Sequence, residues 1–341
     1  MDNFILRIKQ NRLFILGAGF SAKAGIPMIG QLLFDCMQLF RLECPGLFER
    51  VNNYARVCFS SEKEVDYTRV NFSEFCTFLE YIELREFGGG ERWSDRGSRE
   101  KLAFRYYLAK AIVNSTPAPE DIPDIYIQFA RQLRKYDILI TFNWDPLLEV
   151  ALNKVGKTFA YNNYDEADVR IYKFHGSVNW RLNSPDSARF VWKPFEFKKG
   201  IMAEELYYCD ELLNKNSWRE TQPLMGEVEP FIVLPGSGKA YEVRPLAPIW
   251  YKPENAFAVT HQVYIVGLSL SDDDFFIKSF FLDTLPDIDC FTGISGRKVT
   301  IINSDPSIEN NYSFIRGQEN VNFIFEKFNI DHVKLMQSDN L

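Results

Sequence analysis

The sequence contains no run of apolar residues close to the roughly 20 that a helix needs to cross a bilayer. Residues 1–20 also lack the succession of a basic segment, an apolar segment and a cleavage site that marks a secretory signal peptide. These two absences exclude the usual signals for insertion into a membrane or export. We therefore expect no membrane association and a cytoplasmic location.

Positive charge, histidine and paired cysteines are also scarce. The chain has 39 Lys and Arg against 46 Asp and Glu, for a net charge of −7, whereas proteins that hold nucleic acid need clustered cations to neutralise phosphates. The six cysteines include no CxxC pair, and the three histidines are scattered, so they do not match the spacing of a zinc site. We expect no direct nucleic-acid binding, no metal ion, and cysteines that are buried thiols.

Apolar and aromatic side chains, by contrast, are abundant. Hydrophobic residues make up 46% of the 341 positions and aromatic residues 15%, including 30 Phe. Such a composition is typical of a globular protein long enough for one large and one smaller core. The aromatic content also suggests broad packed or subunit interfaces, and we expect a homo-oligomer.

A glycine turn follows the first apolar run. Leu13–Leu16 has the composition of a buried strand, and two glycines separated by one residue come directly after it. Glycines let the backbone turn sharply and approach a ligand, and the N–H groups of a following helix favour a phosphate. A tight turn without a ligand explains so short a pattern equally well. The segment comprises Gly17, Ala18, Gly19, Phe20, Ser21, Gly25, Ile26 and Pro27.

Four more strand-like runs end in small or polar residues. They cover residues 136–141, 169–174, 263–266 and 299–302. Ligands of open parallel sheets bind outside the carboxyl ends of the strands, so five such ends indicate a built site. The fold class that we expect is α/β, a Rossmann-like doubly wound parallel sheet.

Helical periodicity separates the first strand from the others. Apolar residues recur at intervals of three and four from Gln31 to about Ala130, which predicts a helical insertion or cap over residues 31–130. Residues 1–30 and 131–310 would then form the sheet domain. We expect an irregular second insertion at 180–228 and a C-terminal tail at 311–341.

Three polar residues at the strand ends could carry chemistry. His175 directly follows a strand, and its imidazole suits general-base catalysis near neutral pH. Asn143 could hold a sugar hydroxyl or a water, because its amide both donates and accepts. Asp145 could act beside it, or it could cap the helix that begins near Pro146.

Two further polar patterns are better explained by structural roles. Asp272, Asp273 and Asp274 precede an apolar helix, and acidic residues belong in a first helical turn, so capping is favoured over a metal site. The GSGK sequence at residues 236–239 lacks the first glycine and the Ser or Thr of a phosphate-binding P-loop. A plain loop is expected there.

Together these motifs resemble a sirtuin-type NAD-binding domain. The resemblance rests on GAGFS with GIP at residues 17–27, TFNWD at 141–145, KFHGS at 173–177, VGLS at 266–269 and IN at 302–303. It implies that NAD lies across the strand ends, with its pyrophosphate on the Gly17–Ser21 turn.

The resemblance also implies roles for the polar residues. Asn143 and Asp145 would contact the nicotinamide ribose or the attacking water, and His175 would be the catalytic base. Ser269 and Asn303 would hold the adenosine half. Gly267 also belongs to the implied cofactor-binding set.

The chain departs from deacetylase sirtuins at two places. The paired zinc cysteines after the His-Gly are missing, since Cys209 alone lies between His175 and Cys290, and residues 28–30 do not match the Asp-Phe-Arg that follows Gly-Ile-Pro. The pattern is closer to the zinc-free sirtuin-like effectors of bacterial antiphage defence. These hydrolyse NAD to nicotinamide and ADP-ribose.

This closer resemblance implies an NAD+ glycohydrolase that acts in abortive infection. It would be activated by assembly or by a separate sensor, such as a DNA-translocating ATPase or a nucleic-acid-guided protein. Two alternatives remain, a zinc-free deacylase or ADP-ribosyltransferase and a non-catalytic sensor of NAD or ADP-ribose. An oxidoreductase is less favoured, because no catalytic Tyr-Lys or acid-paired His motif stands out.

Overall fold

The computed structural model describes most of the chain. It covers residues 12–60, 64–85, 92–94, 97–135, 137–161, 167–182, 189–195, 205–219, 221, 228–236, 238–250, 260–270, 274–285, 297–315 and 320–338. Asp272, Asp273, Ser237 and Cys290 therefore lie outside the described residues. Within them, no helix is long and apolar enough to cross a membrane.

The described residues contain the following strands and α-helices. The strands are β1 (Arg12–Leu16), β2 (Arg92–Ser94), β3 (Gly97–Ser98), β4 (Ile138–Thr141), β5 (Phe159–Ala160), β6 (Val169–Lys173), β7 (Gly176–Ser177), β8 (Trp180–Leu182), β9 (Lys193–Pro194), β10 (Leu206–Tyr208), β11 (Phe231–Ile232), β12 (Gln262–Val266), β13 (Lys298–Ile302) and β14 (Val321–Ile324). The α-helices are α1 (Ala18–Ser21), α2 (Ile29–Glu43), α3 (Pro45–Phe59), α4 (Phe72–Arg85), α5 (Arg99–Ser115), α6 (Asp124–Gln132), α7 (Leu147–Lys154), α8 (Lys215–Trp218), α9 (Lys239–Glu242), α10 (Ala247–Trp250), α11 (Phe275–Thr284) and α12 (Ile330–Ser338).

A seven-stranded sheet organises the chain, in the order β14-β13-β12-β1-β4-β6-β5. Every neighbouring pair in it is parallel. From β1 the chain builds outward through β4 and β6, and it then returns to the other side of β1 through β12, β13 and β14. The strand order thus reverses between β1 and β12, which is the switch point of a doubly wound sheet. The predicted α/β fold class is confirmed.

The central strand β1 is buried along its whole length. Its apolar residues do not alternate with polar ones, as is typical of a strand covered by helices on both faces. Leu16, its last residue, lies opposite Val266 of β12 and Thr141 of β4. The carboxyl ends of these three strands therefore lie side by side.

All five strands predicted from the sequence are present, as β1, β4, β6, β12 and β13. The two strands at the edges, β5 and β14, were not predicted. β5 has two half-buried residues, and β14 is half-exposed along most of its length. Edge strands bury less side-chain surface, so their sequences carry a weaker apolar signal.

The predicted cap consists of α2, α3, α4 and α5, which share a hydrophobic cluster separate from that of the sheet. The boundary expected at residue 130 differs from the packing. Buried residues of α6, including Ile125 and Phe129, belong to the cluster of the sheet instead. Helical periodicity does not reveal which surface a helix packs against, so the sequence extended the cap one helix too far.

The second insertion, expected to be irregular, contains a three-stranded antiparallel sheet in the order β8-β10-β9. Aromatic rings pack beside it, with the centroids of Trp180 and Phe195 4.7 Å apart. Cys209 and Trp218 of this insertion belong to the hydrophobic cluster of the cap. The insertion therefore joins the cap to the sheet domain.

Residues 311–341, expected to be a tail, form part of the sheet domain where they are described. β14 extends the sheet by pairing with β13, and α12 buries Val333 and Met336 in the same cluster as the central strands. β14 therefore forms one edge of the sheet, and α12 packs in the core of the same domain.

The cysteines in the described residues are free thiols. Cys36, Cys76 and Cys209 are buried as predicted, and burial raises the pKa of each thiol. Cys58, on α3, is exposed and does not fit that expectation.

The buried side chain of Arg12 connects the central strand to its surroundings, including the C-terminal helix α12. Nε of Arg12 donates to Oδ1 of Asp137 at 3.0 Å, and both side chains are 1% exposed. The same guanidinium donates to the carbonyl oxygens of Met336 on α12, at 2.8 Å, and of Gln132 on α6, at 3.0 Å. One side chain at the amino end of β1 therefore holds two helices.

We expect Arg12→Met to lower the free energy of unfolding by about 3–5 kcal/mol, because it leaves the Asp137 carboxylate buried without its cation. Urea denaturation followed by circular dichroism measures this change. The control is Arg69→Met, which removes an exposed pair with Asp66 at 3.3 Å and should cost less than about 1 kcal/mol. Equal, small losses in both variants would contradict the interpretation.

Candidate functional site

A cleft of about 210 Å³ opens at the carboxyl ends of β1, β4, β6 and β12. The helices α2 and α5 of the cap form one of its walls, through Ile29, Leu32 and Ile112. The cleft therefore lies at the switch point of the sheet, where doubly wound folds bind their ligands. The predicted site residues that line it are Gly17, Ala18, Ile26, Pro27, Asn143, Asp145, His175, Gly267 and Ser269.

The glycines of the first turn permit a close backbone contact. A Cβ on Gly17 would lie 2.5 Å from the carbonyl oxygen of Gly267, and one on Gly19 would lie 2.8 Å from the Cα of Gly267. Gly267 itself has a φ of +64°, and its Cβ would lie 2.3 Å from the Phe20 nitrogen. Packing between the turns after β1 and β12 is thus sufficient to explain these three glycines.

The amide groups of this turn are used largely within the protein. The N–H of Gly17 donates to Val266, that of Gly19 to Gly267, and that of Phe20 to Gly17, each at 2.9 Å. The helix that follows, α1, is only four residues long. The turn therefore offers fewer N–H groups to a phosphate than the sequence pattern predicts.

Other predicted residues lie behind the cleft. The ring of Phe20 is in the core, packed against Tyr126, Phe129 and Phe328. Gly25, with a φ of +83°, ends the 3-10 turn Ala22–Ala24. Neither residue lines the cleft, so their contribution is to shape the chain around it.

Asn303 also lies away from the lining residues. It follows β13, and its side-chain oxygen accepts the N–H of Asp305 at 3.1 Å. The side chain of Asn311 donates to the carbonyl oxygen of Ser269 at 2.8 Å. Ser269 lines the cleft, whereas the side chain of Asn303 forms a hydrogen bond within the turn that follows β13.

Asn143 is held in one orientation. Its Nδ2 donates to the carbonyl oxygen of Gly17 at 2.9 Å and to Oγ of Ser21 at 3.1 Å. A carbonyl oxygen accepts only, so the nitrogen of the amide must face Gly17. Oδ1 is therefore the end of the amide that can accept a hydrogen bond from a ligand.

Asp145 continues this chain of hydrogen bonds. Ser21 Oγ donates to its Oδ2 at 2.9 Å, and the N–H of Leu147, the first residue of α7, donates to Oδ1 at 3.1 Å. Asp145 thus accepts the first N–H of α7 from a position one residue before the N-cap, Pro146, and the same carboxyl also lines the cleft. Burial raises the pKa of Asp145, while the nearby Lys173 and these hydrogen bonds act in the opposite direction.

A buried ion pair supports this corner of the site. Nζ of Lys173 donates to the carbonyl oxygen of Asp145 at 2.7 Å and to Oε1 of Glu149 at 2.9 Å. The hydroxyl of Tyr161 donates to the same carboxylate oxygen at 2.9 Å. The backbone of Asp145 is therefore tied to β6 and α7, both of them rigid elements.

His175 extends from the end of β6 and is 8% exposed. Its ring packs against that of Phe142, with centroids 5.3 Å apart. Burial lowers the pKa of the imidazole well below 6.5, and the charge of Lys239 lowers it further, against a hydrogen bond with the Phe142 backbone. Nε2 is buried with no hydrogen-bond partner. The burial of the ring and the nearby lysine thus favour the neutral imidazole over the cation.

Two charged residues beside His175 were not assigned to the site from the sequence. Asp274 accepts the N–H of Ile277 at 3.2 Å, as predicted for a helix cap, but it also lines the cleft. Its Oδ2 lies 2.5 Å from Nζ of Lys239 and 3.9 Å from Nε2 of His175. Lys239 comes from the GSGK sequence, which was expected to be a plain loop; the lysine in fact begins the short helix α9.

The arrangement provides three chemical capabilities at one place. His175 offers a neutral ring nitrogen, Asn143 an oriented amide oxygen, and Asp145 and Asp274 carboxyl groups. Most of the remaining lining is apolar, from the cap on one side and from Leu268, Leu270 and Ile277 on the other. Such a mixture suits a ligand that has flat apolar rings and a few polar groups.

Comparison with known proteins finds matches among solved structures. No protein-family model and no curated protein matches this chain. Among solved structures, the chain is similar to a sirtuin studied for its substrate affinity, with 13% identity, a TM-score of 0.45, and coverage of 100% of this chain and 99% of that one.

The chain is also similar to a Sir2 homologue in complex with NAD, with 12% identity, a TM-score of 0.40 and coverage of 100% and 95%. A third similar structure is Sir2 with an inhibitor, 2'-O-acetyl-ADP-ribose and a deacetylated peptide, at 14% identity, a TM-score of 0.40 and coverage of 99% and 98%. Similarity this low transfers no residue role to this chain.

The structure predicts that His175 titrates below pH 6.5, its ordinary pKa, because the cationic ring would lose its hydration in the buried site. An NMR titration of the histidine ring signals, with His175→Gln to assign the resonance, measures the midpoint. A midpoint at or above 6.5 would show that the ring is solvated or paired with a carboxylate.

Proposed function

We propose that this protein binds NAD in the cleft at the switch point and hydrolyses its nicotinamide–ribose bond. One observation carries the proposal: an unpartnered nitrogen of a neutral imidazole and an oriented Asn143 side chain line one cleft. A module that only binds the nucleotide has no need of a proton acceptor such as His175. The sirtuin-type motifs in the sequence support the same assignment.

The composition of the cleft fits the substrate. The apolar wall suits the nicotinamide or adenine ring, and the amide oxygen of Asn143 suits a ribose hydroxyl or a water molecule. The pyrophosphate would lie near Gly17 and Ala18, where no side chain beyond Cβ intervenes. The adenosine half would extend over Gly267 and Ser269.

The proposed reaction needs little acid catalysis. Nicotinamide leaves NAD+ as a neutral molecule when the C–N glycosidic bond breaks and its electrons pass to the positively charged ring nitrogen. Water forms the new bond to the ribose carbon and loses one proton. The products are nicotinamide, ADP-ribose and that proton, so the protein must supply a positioned water and a proton acceptor.

The side chains of the cleft would divide these tasks. Asn143 would orient the water or the ribose hydroxyls, which contributes through positioning. His175 would take the proton, and general-base assistance commonly gives roughly 10²–10⁴-fold. Asp145, held by Ser21 and Leu147, would stabilise the positive charge that develops on the ribose.

Two other activities use the same cleft. A zinc-free deacylase or ADP-ribosyltransferase would transfer ADP-ribose to an acyl oxygen or a protein group in place of water. A non-catalytic sensor would bind NAD or ADP-ribose without turnover. We favour hydrolysis because the free ring nitrogen of His175 can take the proton of an attacking water.

We also propose how the activity is controlled. An enzyme that depletes NAD must be inactive until it is triggered, so activation through self-assembly or through a separate sensor protein would fit an abortive-infection effector. The contribution of α2 and α5 to the wall of the cleft supports this idea. A change in the position of the cap would alter access to His175.

We expect His175→Gln and Asn143→Ala each to lower NAD cleavage by about 10²-fold or more, since one removes the base and the other the oriented amide. Chromatography of released nicotinamide measures the rate, and circular dichroism checks that each variant is folded. The matched control is His332→Gln, a buried histidine on α12 that does not line the cleft. Full activity in both site variants would remove these roles.

One incubation separates hydrolysis from the alternatives. The purified protein is mixed with NAD, with and without an acylated peptide, and nicotinamide, ADP-ribose and the absorbance of the reduced cofactor are followed. Hydrolysis predicts equimolar nicotinamide and ADP-ribose without peptide. Release that requires the peptide indicates a transferase, binding without release indicates a sensor, and new absorbance indicates an oxidoreductase.

A further inference from the structure

We propose that Lys239 is a positioning residue of this site: by holding the Asp274 carboxylate, it keeps Nε2 of His175 free to accept a proton. The proposal rests on the proposed function for its catalytic meaning. Its structural part, the competition of Lys239 and His175 for one carboxylate oxygen, can be tested in the protein without NAD.

The three side chains converge from three separate elements. His175 comes from the end of β6, Lys239 from α9 and Asp274 from the start of α11. Oδ2 of Asp274 lies 2.5 Å from the Lys239 nitrogen, whereas the His175 nitrogen is 3.9 Å away, beyond hydrogen-bonding distance. His175 and Lys239 are buried, and Asp274 is half-buried. The lysine therefore occupies the oxygen that the imidazole would otherwise reach.

The other oxygen of Asp274 holds the carboxylate in this position. Oδ1 accepts the N–H of Ile277 and caps α11, so the carboxylate stays at the edge of the cleft whichever cation binds it. Without Lys239, the half-buried carboxylate of Asp274 would lie next to the imidazole with no cation beside it. An opposite charge at this range favours the protonated ring, and a protonated ring cannot act as a base.

Lys239 is itself held from the side of the cap. The N–H of the preceding Gly238 donates to Glu80 of α4 at 2.8 Å. At the other end of α9, Glu242 lies 3.1 Å from Nζ of Lys101 and also pairs with Arg105, both on α5. The backbone on either side of Lys239 is thus anchored to the cap, and the lysine reaches from there to the sheet.

Two other charged residues that the structure describes near His175 do not duplicate this role. Asp145, after β4, shares the cleft but is engaged by Ser21 and Leu147. Lys173, on the same strand as His175, donates to Glu149 and to the Asp145 backbone. Lys239 and Asp274 are therefore the charged pair that we expect to set the pKa of the His175 ring.

The test compares two variants that must act in opposite directions. Lys239→Met removes the cation and leaves Asp274 to the imidazole, so the pKa of His175 should rise. Asp274→Asn removes the carboxylate and leaves Lys239 unpaired beside the ring, so the pKa should fall. Lys239→Arg keeps the positive charge and should return the titration toward that of the wild type. The NMR titration of His175 in the nucleotide-free protein reads all three.

The pH profile of NAD cleavage gives the second measurement. In Lys239→Met the ratio of rates at pH 8 and pH 6 should rise at least about threefold, since a greater fraction of His175 is protonated at the lower pH. In Asp274→Asn the ratio should not rise. The matched control is Lys193→Met, which removes a lysine from an ion pair of equal length, 2.5 Å from Asp210, and should change neither measurement.

The outcomes separate this inference from the proposed function. An unchanged His175 midpoint in Lys239→Met, or shifts of the same sign in Lys239→Met and Asp274→Asn, overturns the inference even if the wild type cleaves NAD. If the two variants shift the His175 midpoint in opposite directions but the wild-type protein cleaves no NAD, the competition for Asp274 is supported and the hydrolase proposal is overturned instead. Opposite shifts together with the expected pH profiles support both.

Discussion

The close contact between the turns after β1 and β12 is the constraint on which the site depends. Gly17 and Gly19 approach Gly267 so closely that a methyl group at any of the three positions would collide with backbone. This contact occurs where the strand order reverses, and it brings the first and second halves of the sheet together. On the other side of β1, Thr141 of β4 lies opposite Leu16, so that Asn143 reaches the Gly17 carbonyl and is held in one orientation.

A chain of hydrogen bonds runs from this contact to the polar groups of the cleft. Asn143 donates to Ser21, Ser21 donates to Asp145, and Asp145 caps α7. This chain turns the amide oxygen of Asn143 toward the cleft, where the buried Nε2 of His175 has no hydrogen-bond partner. Polar groups buried without partners are costly, so a site that retains them is suited to a ligand that supplies the missing hydrogen bonds.

The sequence predicted the centre of this structure better than its periphery. Fully buried strands such as β1 have continuous apolar runs, and the order of the polar residues after them located Asn143, Asp145 and His175. The edge strand β14 was missed because a half-buried strand has no continuous apolar run. The boundary before α6 was missed because a helix has the same periodicity whether it packs on the cap or on the sheet. Lys239 and Asp274 were missed as a pair, since their 35-residue separation gives no sign that they meet.

The role of the cleft is tested most directly by a crystal structure of the His175→Gln variant grown with NAD. If the variant no longer cleaves the substrate, intact NAD should lie across the carboxyl ends of β1, β4 and β12. Its nicotinamide ribose should lie within hydrogen-bonding distance of Oδ1 of Asn143. NAD bound elsewhere, or bound with its nicotinamide ribose remote from Asn143 and from residue 175, would contradict the proposed hydrolase.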